Sequence, residues 1–303
     1  MARSLAGFVN RITGSGLNVL SVRVRQGGEL LGEWDLERDA RRLQHSVSKT
    51  FTCLAVGMAV EEGKLSMDTR LGHYFEGEAR AEKVSDPRLL PEGITLYNLL
   101  RMSTGHDAPP LWAEERASLK EKDWAKHYMS LPLDRIPGQR FTYSSGDTFM
   151  ISALFQAATG QTIKDYLIPR LFQPLGIEDV RWDGSPLGVT LGCTGLYISN
   201  EELSRFGQLL LQKGQWKGKR LVPEQWIDFI TSKQIDTEGS SDWNQGYGCQ
   251  LWMCTHDAYR ADGAQGQLCI VIPGRDAVIA VNSNEERMQD IMDAVWDEIY
   301  PLL

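Results

Sequence analysis

Apolar residues at Phe51, Leu54, Ala55, Met58 and Ala59 fall at the spacing of one buried helical stripe, and Glu61-Glu62-Gly63 closes the run. Gly63 suits a left-handed cap. Upstream, Val19 to Arg25 alternates apolar and polar positions, Gln26-Gly27-Gly28-Glu29 reads as a turn, and Leu30 to Leu36 resumes. That pattern predicts a β-hairpin feeding the helix. Leu65 to Ile94 is polar and broken by Pro and Gly, so it predicts loop. Thr95 to Met102 predicts a short helix, Leu111 to Ser130 has helical tendency with a weak apolar face, and Thr148 to Ala158 predicts a buried helix closed by Gly160. Thr162 to Asp165 resembles a capping box, Asn200 is placed to cap a helix through Lys213, and Pro223 suits the first turn of another. Three strand-like runs follow, Gln250 to Thr255, Gln267 to Ile272 and Ala277 to Asn282. Met288, Ile291, Met292, Val295 and Ile299 then give a closing amphipathic helix.

Strands at both ends with helices between them predict an α+β fold, an antiparallel β-sheet flanked by helices. Residues 1–75 and 191–303 are expected to build the sheet domain, and 76–190 a mostly helical inserted subdomain. No repeat or low-complexity tract interrupts this plan.

Composition narrows the function classes. The 303 residues can bury a large core, and 42% hydrophobic with 24% charged residues is ordinary for a globular chain. A net charge of −8 gives no basic footprint for nucleic acid, and no apolar run reaches the length of a bilayer span. Cys53, Cys193, Cys249, Cys254 and Cys269 are odd in number and contain no C-x-x-C, which favours reduced thiols over disulfides or a zinc knuckle. His45, His73, His106, His127 and His256 are too dispersed for a metal signature. Met1 to Leu20 has neither a continuous apolar core nor a cleavage site, so a cytoplasmic location is expected.

The candidate chemistry begins at Ser46-Val47-Ser48-Lys49, at the head of the buried helix. A serine hydroxyl needs a base within hydrogen-bond reach, and a lysine one turn away can be that base if burial pushes it toward its neutral form. Helix-start N–H groups would favour a developing oxyanion. Ser-x-x-Lys also arises by chance, and serine is a routine helix cap, so the pair alone identifies nothing.

A second stretch changes this. Pro137-Gly138-Gln139-Arg140-Phe141-Thr142-Tyr143-Ser144-Ser145-Gly146-Asp147 places a Tyr-Ser loop before the next buried helix, and Thr159-Gly160 through Leu171-Phe172-Gln173-Pro174-Leu175-Gly176 follows. With Ser46 and Lys49, this ordered set resembles the serine β-lactamase and penicillin-binding-protein superfamily. The branch it is most similar to is that of the class C β-lactamase-like esterases and amidases, which includes the nylon-oligomer hydrolases. The resemblance implies acylation of Ser46, assistance by Lys49, and proton relay by Tyr143, a phenol whose pKa a nearby ammonium should lower. It implies no metal or organic cofactor, and a small-molecule ester or amide as the partner; the oligomeric state stays open.

Two departures bear on specificity. The family's Tyr-x-Asn asparagine falls at Ser145, a shorter hydrogen-bonding side chain. The third element, Lys-Thr-Gly or His-x-Gly, falls at Ala261-Asp262-Gly263, with Ala264 the expected second oxyanion donor beside Ser46. Without a cation at 261, and with Asp262 able to repel a substrate carboxylate, poor activity on β-lactams is expected. Trp112, Trp182, Trp243 and Trp252 are candidates for an acyl pocket or for core packing. The alternatives are a DD-peptidase or β-lactamase acting on peptidoglycan-type substrates, and a catalytically silent binding homologue.

Overall fold

A computed structural model describes residues 4–75 and 84–303. Its centre is a six-stranded antiparallel sheet drawn from both ends of the chain. The strands are β1 (Val19–Gln26), β2 (Glu29–Asp35), β3 (Trp252–Met253), β4 (Tyr259–Gly263), β5 (Gln267–Ile272) and β6 (Ala277–Ser283), in the order β2-β1-β6-β5-β4-β3. Val22 and Val24 pair with Val281 and Ile279 across β1 and β6, and Leu268 faces Asp262 across β5 and β4.

The run Gln267 to Ile272 does not alternate apolar and polar residues because both faces of the sheet are covered. On one face, Ile270, Ile279 and Val281 pack under Phe8 and Ile12 of α1 (Ala6–Gly14) and the C-terminal Ile291, Met292 and Val295. On the other, Cys269, Val271, Val278 and Ala280 meet Leu203, Phe206 and Leu210. Gly207 allows that close approach, since a Cβ there would lie 2.4 Å from Val278 Cγ1.

The helix expected from the stripe at 51–59 is α2 (Ser48–Glu61), closed by Gly63 at φ +70°. Every residue from Ser48 to Ala59 is buried, so the helix is enclosed on all sides. Phe51 stacks on Phe206 at 3.7 Å and Phe172 at 5.7 Å between ring centroids, joining the sheet layer to the helical region. Within that region, Ala113–Ser118 forms α3 and Ser145–Thr159 forms α4. Helix α4 starts three residues before the expected Thr148, because Ser144 caps it by accepting from the Asp147 N–H at 3.0 Å.

Several expectations need adjustment. α1 was not expected, and β4 escaped the reading of strand-like runs because its Arg260 and Asp262 look polar. The Gln250–Thr255 run keeps only Trp252–Met253 as strand. Gln250 sits at φ +61° and turns its amide inward to Thr148 and to the carbonyls of Leu99 and Leu100. The helix at 200–211 is capped by Ser199 in a capping box with Glu202, rather than by Asn200. The domain boundary expected at 75–76 falls at the edge of the described residues. Phe51→Ala removes the ring that links the two layers and should cost about 3–5 kcal/mol, read from the urea midpoint at unchanged slope.

Candidate active site

Ser46 occupies a single 3-10 turn, His45–Val47, that runs directly into α2. At three residues per turn, positions i and i+3 eclipse. Lys49 therefore folds back over Ser46, its Nζ donating to Ser46 Oγ at 2.9 Å and to the Cys193 carbonyl at 3.0 Å. The turn is held in an uncommon backbone state, with His45 at φ +46°. Gln44 fixes its entry: its N–H donates to Leu196 O, and its side-chain amide donates to Ile198 O and Asn282 Oδ1.

Lys49 is almost wholly buried, and no carboxylate lies within ion-pair distance of it among the described residues. Burial therefore lowers its pKa to about 8, with the Arg116 cation pushing the same way and the charges of Cys193, Asp262 and Asp147 opposing. Tyr143 lies beside this pair, with Lys49 Nζ 5.0 Å from its ring centre. Its pKa moves opposite to expectation. Burial raises the phenol above its ordinary value, and interaction with Ser46 only partly offsets that. An aromatic wall surrounds Tyr143: Trp252 stacks at 5.6 Å, Tyr247 meets it edge-on at 6.3 Å, and the exposed Trp112 lies 6.3 Å away. Trp182 instead packs against Phe51 in the core, and Trp243 covers Arg260.

β4 brings the third element to the same place. A Cβ on Gly263 would sit 2.4 Å from the Gln44 carbonyl, so only glycine lets the strand end press against the nucleophile turn. Ala264 follows, exposed, at the start of the turn into β5, and Gln265 lies close enough to His45 to oppose the lowering of its pKa by burial. Ser145 is buried at the first position of α4, and its hydroxyl makes no hydrogen bond to Ser46, Lys49 or Tyr143. Asp262 carries enough of its field to Lys49 and Tyr143 to affect both, yet its Oδ2 is taken by Arg260 Nε at 2.8 Å. Arg260 is fully buried, two residues back on the same strand face, and its guanidinium stacks 4.3 Å from the Trp243 ring centre. Burial raises the Asp262 pKa even against that cation.

The sequence profile of the family described as beta-lactamase matches residues 15–299. The chain belongs to the beta-lactamase family. It is similar to the 6-aminohexanoate-dimer hydrolase of Paenarthrobacter ureafaciens, 25% identical over 280 residues, covering 84% of this chain and 70% of that one. It is also similar to the D-aminopeptidase of Brucella anthropi, 29% identical over 141 residues; there the match spans 46% of this chain and only 26% of the relative. Among solved structures, a putative 6-aminohexanoate-dimer hydrolase from Bacillus anthracis superposes with a TM-score of 0.77 at 18% identity, over 95% of this chain and 79% of that one. The octameric penicillin-binding protein homologue from Pyrococcus abyssi gives 0.75 at 18% identity, over 98% and 76%. The chain thus has the α+β fold of this family, and the Paenarthrobacter and Brucella relatives are a hydrolase and a peptidase by name.

Several contributors to this beta-lactamase-family site were not legible in the sequence. The Cys193 carbonyl that accepts from Lys49 is backbone, and nothing in a side-chain pattern points to it. Asp147, wholly buried, accepts from Tyr128 Oη at 2.9 Å and from Thr104 Oγ1 at 3.0 Å, and burial raises its pKa to about 7. Arg260, which occupies Asp262, stands one residue before the position where the family motif carries its cation. Among the described residues, no cluster of His, Cys, Asp or Glu is arranged to hold a metal ion, and no helix is long and apolar enough to cross a membrane. Asp262→Ala strands the Arg260 guanidinium in the interior and should destabilise the fold by about 3–5 kcal/mol, measured by chemical denaturation beside the milder Asp262→Asn.

Proposed function

We propose that this chain hydrolyses an amide or ester of a small molecule through an acyl-enzyme at Ser46, in the cleft between the sheet domain of 1–75 and 191–303 and the helical insertion of 76–190. The observation that carries the reading is the 2.9 Å contact between Ser46 Oγ and a lysine amine whose burial lowers its pKa to about 8. At neutral pH roughly a tenth of such an amine is unprotonated, a usable fraction of base.

In the first step neutral Lys49 takes the Ser46 hydroxyl proton as Oγ bonds to the substrate carbonyl carbon. The carbonyl π pair moves onto oxygen, facing the backbone N–H groups of Ser46 and Ala264. Collapse of that intermediate breaks the bond to the leaving group. Tyr143 supplies the leaving group's proton and regains one from the Lys49 ammonium. Its raised pKa fits a donor that stays protonated, not the first base. Water then repeats the sequence on the acyl-enzyme and frees Ser46. Ser145, Asp262 and Gly263 complete the substrate-facing set, with Gly263 admitting the substrate backbone close to the strand edge.

The names of the relatives favour an amide over an ester as the natural bond, since one acts on a 6-aminohexanoate dimer and another is an aminopeptidase. The tie between Arg260 and Asp262 leaves no free cation at the third motif for a β-lactam carboxylate. Five buried thiols, none paired, suit a reducing cytoplasm.

A fluorophosphonate should add to wild-type protein by intact mass and not to Ser46→Ala; adduct formation that survives the substitution would move the nucleophile elsewhere. Because Lys49 must be neutral to act, kcat/KM on a p-nitrophenyl ester should rise with pH, about tenfold per unit below 8, and level above it. A flat profile from pH 6 to 8 would remove Lys49 as the base. Nitrocefin should turn over far more slowly than the ester.

A further inference from the structure

We infer that Arg116 is a recognition site for a carboxylate carried by the substrate, several bonds from the scissile carbonyl. The inference rests on Ser46 as the nucleophile and adds the class of molecule that reaches it: a linear amide or ester with an acidic end.

Arg116 belongs to α3, outside every motif that relates this chain to its family. Its Nη1 donates to Leu111 O at 2.6 Å and to Cys193 Sγ at 3.7 Å. Cys193 is the residue whose carbonyl accepts from Lys49. One residue thus separates the guanidinium from the proposed catalytic pair.

The cation is braced. Leu111, at φ +61°, gives its carbonyl to Arg116 and its N–H to Glu115, and Glu115 in turn meets His127 Nε2 at 2.8 Å. Yet Arg116 has no acidic partner among the described residues. Among the described residues no carboxylate lies within ion-pair distance of it, and Nε and Nη2 make no hydrogen bond. Nearby carboxylates are committed elsewhere: Glu115 to Leu111 and His127, Asp147 to Tyr128 and Thr104, Asp262 to Arg260.

A half-buried guanidinium with a fixed position and free N–H groups matches the two oxygens of a carboxylate. Trp112, immediately before α3, is exposed and 6.3 Å from the Tyr143 ring, an apolar surface for the chain between the scissile bond and the acidic end. The arrangement also separates two roles. As a nearby positive charge Arg116 disfavours protonated Lys49, which acts on all substrates alike. As a carboxylate partner it acts only on acidic ones.

The test compares p-nitrophenyl hexanoate with mono-p-nitrophenyl adipate, equal in acyl length and different in the terminal carboxylate. Wild type should prefer the adipate ester. Arg116→Ala should cut the adipate-to-hexanoate ratio of kcat/KM by about 10- to 100-fold, mostly through KM. Arg116→Lys should restore part of that ratio, and Arg116→Glu should reverse the preference. A ratio unchanged within about twofold, or a wild-type preference for hexanoate, would overturn the proposal. Binding of adipic acid monoanilide to Ser46→Ala protein, measured by titration calorimetry, gives a reading free of turnover. It should weaken at least about tenfold when Arg116→Ala is added, and equal affinity would refute the site. If neither ester acylates Ser46 while this binding still depends on Arg116, the hydrolytic reading fails and the carboxylate site stands.

Discussion

The structure depends on one desolvated amine. Lys49 Nζ is enclosed with two neutral oxygen acceptors, Ser46 Oγ and the Cys193 carbonyl, and among the described residues no carboxylate is in contact with it. An ammonium in such a place has lost water without gaining a counter-ion, so its charged form is the one burial penalises. The carboxylates that could have paired with it, Asp147 and Asp262, are each bound to other groups and themselves pushed toward their neutral forms. Moving either one into contact would raise the lysine and remove the base.

Holding that amine against a serine at a helix start places demands on the backbone. The 3-10 turn eclipses residues three apart, and the positive φ at His45 steers the turn into α2. Such a conformation costs on the order of 1–3 kcal/mol and persists only where neighbours fix it. Gln44 provides this through the backbone carbonyls of Leu196 and Ile198 and through Asn282 on β6, while Gly263 lets β4 close against the same turn. The six-stranded sheet, assembled from both ends of the chain, thus serves as the surface on which the nucleophile turn is seated.

What could be read in the sequence follows how local each signal is. The stripe at 51–59, the cap at Gly63 and the Ser46–Lys49 spacing are short-range, and all three stand in the fold as expected. Tyr143, nearly a hundred residues away, was reachable only through the ordered set of family motifs, and its contact with the Lys49 amine is a tertiary fact. The direction of its pKa runs against what the motif suggests, because a neighbouring ammonium is visible in a motif and desolvation is not. β4 was missed for a related reason. Its Arg260 and Asp262 read as solvent-facing charges in one dimension, although in three they neutralise each other inside the sheet's edge.

That last pair bears on how substrate choice has been arranged. Where the family motif holds a cation for a substrate's carboxylate, this chain offers an alanine flanked by Arg260 and Asp262, whose charges meet each other. A fully buried arginine cannot turn outward to serve a ligand without abandoning Asp262 in a poorly solvated position, and burial makes that exchange unfavourable. A carboxylate arriving at the strand edge therefore meets no free positive charge. The opposite wall differs: Arg116 is anchored by the Leu111 carbonyl and the Cys193 sulfur, and no carboxylate among the described residues pairs with it. The unpaired positive charge beside Lys49 thus sits on α3 and not on the sheet edge. An acidic substrate drawn to it would lie across Trp112 rather than along β4, which favours extended, flexible chains over the compact bicycles that a strand-edge cation would hold.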